Sequence, residues 1–453
     1  MKKCRLTALF LTAVLFLTLL LPAQAGLVDE MQVKAAAALL VEGETGEILF
    51  EQNKDVRRYP ASLTKIMTAL LTIRAIEAGA LKEDQVITVS ASAVTGLDAD
   101  GSTQDIKAGE QITVRDLLYC VLVASANEAC NILAEAVSGS VSAFVDEMNR
   151  TAADLGMENT HFANAHGLHD ENHYTTAYDI WLMTREAMKY PLFREIVATV
   201  DHYVPATNLH DQRHFYNTNA LLTNWKYIGY TYRNAIGIKT GNTSQAGQCL
   251  VSAAVKGERT LYAVVLGAEN VTDSAGKIVD RQSFSESKRL LEWGFDNFVR
   301  QTILSPKDLQ GQVPVTLSKT EQVVAAPAGT LEAMLPKDTK PEDFTITPHY
   351  DQETVEAPVT KGQKLGSVTV SYDGREYGSM DLVALTAVER DEWMYRKSQV
   401  QAFFQLLWVR IALVVLAVLA VVFLGRRLLF GRRRRRGSYR GNATRNRYRG
   451  RRR

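Results

Sequence analysis

The stretch RRYPASLTKIMTALL, residues 57–71, decides how the rest of the chain is read. From Ala61 onward it has helix composition. Leu63, Ile66, Met67, Leu70 and Leu71 give a broad apolar face, and Pro60 stands just ahead, where a helix tolerates it. Ser62 and Lys65 lie three apart in the first turn, so both side chains project on the same side. A serine hydroxyl is a poor nucleophile until a neighbour removes its proton. An ordinary lysine, with a pKa near 10.4, is almost fully protonated at pH 7 and cannot do so. Lowering that pKa to about 7 takes roughly 4 to 5 kcal/mol of differential interaction. Burial against the apolar helix face and a second cation nearby both push that way.

A Ser-x-x-Lys pair alone carries little. The chain has two more, Ser274–Lys277 in an expected loop and Ser285–Lys288 in an amphipathic helix, and a solvated surface accounts for both. Ser62–Lys65 differs in its company. Ser125-Ala126-Asn127 follows 63 residues after Ser62, between two helical stretches, and Lys239-Thr240-Gly241 ends a strand about 110 residues later. Each tripeptide occurs once, and order, spacing and context agree. Lys239 can supply the second cation. Ser125 can relay a proton to a leaving amine, and Asn127 can position Lys65 and a substrate amide. Lys239 and Thr240 suit a terminal carboxylate, and Gly241 lets a substrate backbone lie close to the strand. Thr243 and Ser244 are further candidates for substrate contact, with a strand-end hydrogen bond an equal alternative.

With these residues the chain resembles the serine D-alanyl-D-alanine carboxypeptidases, the low-molecular-mass penicillin-binding proteins. YPASLTKIMTALL (59–71), NHYTTAYD (172–179) and IKTGNTSQAGQCLV (238–251) look like family segments almost throughout, and APVTKGQKLGSVTVSYDG (357–374) resembles the β-rich module that follows the catalytic domain. The likeness covers about residues 28–390. It departs from the family at Ala126, where glycine is common, and at the C-terminus, where the family often ends in an amphipathic surface helix. The resemblance implies an α/β (α+β) fold, a β-lactamase/transpeptidase-like sheet layered with helices. It also implies removal of the terminal D-Ala from peptidoglycan stem peptides through an acyl-enzyme on Ser62, covalent inhibition by β-lactam antibiotics, and an oxyanion hole from the backbone N–H groups of Ser62 and Asn242. No cofactor is required.

Three rivals remain in view. A class A β-lactamase shares the motifs but needs a Glu-x-x-Leu-Asn segment 35–40 residues after the middle motif. The comparable window here is HFANAHGLHDENHY, where Glu171 is followed by Asn-His-Tyr-Thr. A D,D-endopeptidase acting on cross-links uses the same residues. In the same window His166, His169 and His173, with Asp170 and Glu171, form a possible metal cluster. However, the segment is Gly-broken and holds no His-Glu-x-x-His, so no metal is assigned.

The ends of the chain address the compartment. Lys2, Lys3 and Arg5, the apolar run Leu9–Leu21 and Ala23-Gln24-Ala25 read as a signal peptide over residues 1–25. The run FFQLLWVRIALVVLAVLAVVFL (403–424) is long enough to cross a bilayer, and a transmembrane helix is expected over 403–425. Fourteen arginines and no acid follow in residues 426–453, which places that tail in the cytoplasm. With the tail arginines and the three signal-peptide bases set aside, 35 bases face 50 acids, a charge near −15 that argues against nucleic acid as a partner. Between the ends, the catalytic domain is expected over 26–300, a small β-rich domain over 301–392 and a polar linker over 393–402. Cys120, Cys130 and Cys249 give no disulfide framework and read as semi-buried thiols.

Overall fold

The computed structural model describes residues 31–97, 101–372 and 374–430, so the expected signal peptide and most of the arginine tail lie outside the described residues. Two compact units emerge. One holds residues up to Gln301 together with Ala333–Thr339, the other Thr302–Glu332 and everything from Lys340. The linear border near residue 300 therefore needs an amendment: seven residues from beyond it belong with the first unit.

A hairpin forms from β1 (Ala37–Glu42) and β2 (Ile48–Gln52). Three consecutive strands, β3 (Ala235–Thr243), β4 (Gly247–Lys256) and β5 (Arg259–Ala268), complete an antiparallel sheet in the order β2-β1-β5-β4-β3. β1 thus pairs with β5 across more than 200 intervening residues, which closes the sheet by its own first and last elements. β1 is buried along its whole length, and its side chains alternate. Leu39 and Val41 point into one core, while Ala38 and Leu40 point into another. A strand apolar on both faces must be covered on both.

One face is covered by the helical segment between β2 and β3. Its helices are α1 (Lys65–Glu77), α2 (Val114–Leu122), α3 (Asn127–Ser138), α4 (Val141–Asp154), α5 (Ala177–Ala187) and α6 (Pro191–Ala198). Their boundaries follow local chemistry. Thr113, Ser140 and Thr176 accept backbone N–H bonds at three N-termini, and Gly139 closes α3 in the left-handed conformation. The other face is covered by α7 (Gln282–Asn297), through Leu290, Leu291 and Phe295. Met334, on the returning segment, joins that same core.

The second unit is built on a sheet of β6 (Gln312–Thr316), β7 (Gln322–Pro327), β8 (Thr345–Tyr350), β9 (Val355–Glu356), β10 (Lys364–Tyr372) and β11 (Arg375–Ala384), in the order β8-β10-β11-β7-β6-β9. Beyond it the expected polar linker is helical, α8 (Glu392–Gln405), started by Asp391, whose carboxylate accepts from the N–H groups of Trp393 and Met394. The backbone breaks at Leu406, and the apolar helix α9 runs Leu407–Phe430. The bilayer-length element therefore starts four residues later than the apolar run at 403, because Phe403–Gln405 end the preceding helix. From Leu407 to Leu429 α9 spans 23 residues, about 35 Å at 1.5 Å per residue, and its most apolar 18-residue stretch has a mean hydropathy of 2.9.

One buried ion pair braces the first unit beside its cleft. Arg213 donates to both carboxylate oxygens of Glu110 at 2.7 and 2.9 Å, and its Nε donates to the carbonyl of Gln104 at 2.8 Å. Both side chains are almost wholly shielded. Removing one partner strands the other charge, a loss of about 3–5 kcal/mol. Glu110→Ala is therefore expected to lower calorimetric stability by that amount. A loss under about 1 kcal/mol would show that water or a neighbour replaces the carboxylate.

Candidate active site

The turn that carries Ser62 differs from the expected α-helical start. Ala61–Thr64 is a 3-10 turn, and α1 begins only at Lys65. With three residues per turn, positions 62 and 65 eclipse one another, which aligns their side chains more closely than an α-helix would. Lys65 is fully buried. Its Nζ lies 2.8 Å from Ser62 Oγ, 2.7 Å from Asn127 Oδ1 and 2.8 Å from the backbone carbonyl of His166. Three separate elements thus converge on one nitrogen: the 3-10 turn, the first residue of α3 and the loop ahead of α5.

The turn is held from behind. Ala61 sits at φ +48°, a left-handed conformation that L-residues adopt at a cost of order 1–3 kcal/mol unless the surroundings impose it. Here they do. The Thr64 hydroxyl donates to the Ala61 carbonyl at 2.8 Å. Ala163 N–H donates to His173 Nδ1 at 3.0 Å, so the ring proton sits on Nε2, which faces the Thr64 hydroxyl at 2.7 Å. Gly167 lies against the same carbonyl, and a Cβ there would come 1.9 Å from the Ala61 oxygen. Across the cleft Ser125 is also left-handed, at φ +66°.

Lys239 and Thr240 lie within β3, not at its end, because β3 pairs with β4 as far as Thr243–Gly247. The Lys239 side chain is buried, and its Nζ donates to the Thr240 carbonyl at 3.0 Å. The Thr240 hydroxyl bonds that of Thr218 at 2.7 Å. Gly241 packs on the turn that carries Ser62: a Cβ would meet the Pro60 carbonyl at 3.0 Å and Ser62 N at 3.2 Å. Its small size is therefore required by the protein's own backbone. Asn242 is exposed, and its Oδ1 accepts from Gln248 Nε2 at 2.9 Å. Thr243 Oγ1 accepts from Ala246 N–H at 3.1 Å, which makes it a strand-end bond.

Burial pushes the Lys65 ammonium down to about 8, against the opposing pull of Glu128. Burial, and then the charge of Lys65, hold Lys239 well below the usual lysine range. Desolvation is thus the main cause for both, and the second cation bears on Lys239, a reversal of the expected direction. Burial also keeps His166, at about 3, and His173, at about 4, neutral. His169 lies edge-on to Tyr59, with centroids 4.7 Å apart. The three histidines thus buttress and border the site.

Ser62, Ser125, Asn127, Thr240, Gly241, Asn242, Thr243 and Ser244 line one cleft of about 980 Å³. The structure adds groups that no motif marks: the His166 carbonyl, Thr218, and the bases Lys226 and Arg281 at the cleft wall. Arg281 stacks 3.9 Å over Tyr227. A peptide here meets the hydroxyls of Ser62, Ser125 and Thr240, the Lys226 amine and the Arg281 guanidinium, with Lys65 and Lys239 buried behind them, a set suited to acyl transfer from a substrate with a terminal carboxylate. Cys120, Cys130 and Cys249 are free and buried, more deeply than expected.

The comparisons agree with this geometry. Residues 24–270 match the family described as D-alanyl-D-alanine carboxypeptidase, and residues 298–390 match the penicillin-binding protein 5 C-terminal domain. D-alanyl-D-alanine carboxypeptidase DacF of Bacillus subtilis is 31% identical over 347 residues, 76% of this chain and 84% of that protein. A D-alanyl-D-alanine endopeptidase of Pseudomonas aeruginosa is 31% identical over 272 residues, 60% of this chain and 81% of that protein. The crystal structure of penicillin-binding protein 5 from Haemophilus influenzae matches 80% of this chain and all of that one, with a TM-score of 0.61 at 30% identity. A family match over more than half of its length, joined to a shared fold and one convergent cleft, means that the chain belongs to the D-alanyl-D-alanine carboxypeptidase family.

Proposed function

We propose that this chain is a serine-type D-alanyl-D-alanine carboxypeptidase that trims the terminal D-Ala from peptidoglycan stem pentapeptides, with Ser62 as nucleophile and Lys65 as base. One observation carries the assignment of roles. Two of the three oxygens around Lys65 Nζ, Asn127 Oδ1 and the His166 carbonyl, can only accept hydrogen bonds. A neutral amine satisfies them with its two N–H bonds, which leaves its lone pair aimed at the Ser62 hydroxyl.

The Ser62 Oγ–H proton passes to Lys65 as Oγ attacks the carbonyl of the penultimate D-Ala. The developing oxyanion faces the backbone N–H groups of Ser62 and Asn242. Collapse breaks the peptide bond, and the proton leaves Lys65 through Ser125 Oγ for the departing D-Ala nitrogen. Water then attacks the ester and frees Ser62. Thr240, the Lys239 amine beneath it and Arg281 suit the terminal carboxylate. Penicillin acylates Ser62 by opening its lactam ring. Its leaving group stays tethered, and the window at 161–174 offers no deacylating Glu-x-x-Leu-Asn, so the adduct persists. The endopeptidase reading keeps the same residues and rests on the weaker of the two relatives above.

We also propose that α9 anchors the chain in the membrane, with the cleft outside and the arginine tail in the cytoplasm. The apolar length of α9 and the arginines that follow it support this reading.

Mass spectrometry of a pentapeptide muropeptide incubated with the protein should show loss of a single D-Ala. Fission of a cross-linked dimer instead would favour the endopeptidase. Ser62→Ala should abolish both cleavage and labelling by fluorescent penicillin, whereas Ser285→Ala should leave them intact. Labelling that survives in Ser62→Ala would end this mechanism.

A base lowered to about 8 has a direct signature. Below that pH Lys65 holds its proton, so penicillin acylation should rise about tenfold per pH unit from pH 6 and level off above 8. A flat profile over that range would place the base elsewhere. Topology is open to a separate test on a background cleared of native cysteines. In intact cells a membrane-impermeant thiol reagent should label Ser398→Cys at once and Ser438→Cys only after lysis. Immediate labelling at 438 would sink the spanning arrangement.

A further inference from the structure

A second cavity, of about 820 Å³, adjoins the cleft. Asn242, Thr243, Ser244, Gln245 and Gln248 line both, so the turn between β3 and β4 is a wall shared by the two. Arg57, Arg58 and Tyr174 also line the second cavity, the two arginines a few residues ahead of Ser62. The Arg58 backbone is fixed to Thr175 by two hydrogen bonds, of 2.7 and 2.8 Å. Its guanidinium pairs with no acid among the described residues, and its Nε is buried without a hydrogen-bond partner. Arg57 lies 4.4 Å over the Tyr174 ring and, among the described residues, its guanidinium hydrogen-bonds only Asn159 Oδ1, at 3.4 Å. Asn270, also in the lining, has a buried Oδ1 with no donor.

Such groups are costly to leave unmet. A guanidinium N–H shielded from water lacks an anionic acceptor, and a buried amide oxygen lacks an N–H donor. A peptide carboxylate next to its own backbone N–H supplies both. Glu171 and Glu269 line the same cavity and disfavour a more highly charged anion such as phosphate.

The cavity also lies where such a group would arrive. With the terminal carboxylate at Lys239 and Thr240 and the scissile carbonyl at Ser62, the rest of the peptide runs towards the far end of β3. From Gly241 to Ser244 an extended chain covers about 10 Å, or three residues. We propose that this cavity binds a carboxylate of the stem peptide upstream of the scissile bond, with Arg58 as its main partner and Arg57 at its rim. The proposal rests on the carboxypeptidase reading. A stem peptide offers two such groups, the α-carboxylate of a γ-linked glutamate and the side-chain carboxylate of a diamino diacid at the third position.

The test uses the full chain and four substrates: a pentapeptide with both carboxylates free, the same peptide with either one amidated, and an N-acyl-D-Ala-D-Ala dipeptide too short to reach the cavity. For the free pentapeptide, Arg58→Ala should lower kcat/KM about tenfold or more, chiefly through KM. Dipeptide turnover and penicillin labelling should stay unchanged. Wild-type protein should lose a similar factor on one of the two amidated peptides, which identifies the carboxylate, and Arg58→Ala should be indifferent to that amidation. Equal losses on dipeptide and pentapeptide would reduce Arg58 to a structural role and overturn the proposal. So would wild-type protein that turns over all three pentapeptides alike, a comparison that decides the matter even where Arg58→Ala does not fold. Absence of D-Ala release from all four substrates by wild-type protein would mark failure of the carboxypeptidase reading itself.

Discussion

A lysine nitrogen sealed from water sets the terms for everything around it. Burying an amine is tolerable only when each of its hydrogen-bonding positions is met, and here three distant parts of the chain meet them. Asn127 opens α3, Ser62 rides on the 3-10 turn, and the His166 carbonyl comes from a loop about a hundred residues on. None can shift by an ångström without stranding Lys65. Tolerance of left-handed Ala61 and Ser125 follows, because the network that satisfies the amine also fixes the backbone beside it. His173, Thr64 and Gly167 extend that fixation outward to the loop ahead of α5.

Lys239 extends the same constraint into the sheet. Two shielded amines side by side favour at most one charge between them, and that coupling ties the edge strand β3 to Lys65 electrostatically as well as sterically to the turn before it. The steric tie is Gly241, whose missing side chain lets β3 lie against Pro60–Ser62. Sheet, turn and helix α1 therefore act as one rigid body at the point where chemistry is proposed. Rigidity of this kind keeps reacting groups aligned without a cost at the moment of reaction.

The sequence was most informative where side chains announce their purpose. Ser62, Lys65, Ser125, Asn127, Lys239 and Thr240 stand in motifs whose types and order suggest acyl transfer, and the doubly covered strands of the main sheet show as continuous apolar runs. It was silent where a backbone atom or a packing partner does the work. No residue type marks the His166 carbonyl, and the purpose of Gly241 became visible only with Pro60 beside it. The burial of both lysines is a three-dimensional property, so desolvation was underrated against the second cation. Arg281 belongs to no motif and reaches the cleft because a strand ends there. The break at Leu406 was hidden for a similar reason, since hydropathy is continuous across it while the helix is not.

The return of residues 333–339 to the first unit has a bearing on how such a protein can be inherited. Met334 fills its core, and the Met334 N–H donates to Glu47 at 2.8 Å, close to the β1–β2 turn. A single recombination joint near residue 300 would hand the first unit to a new host without that plug, leaving an apolar socket and losing the backbone bond to Glu47. Exchange of the β-rich part between lineages would need two joints, or a compensating change in the socket. The arrangement makes the pair of units hard to shuffle as independent cassettes, although each has its own core.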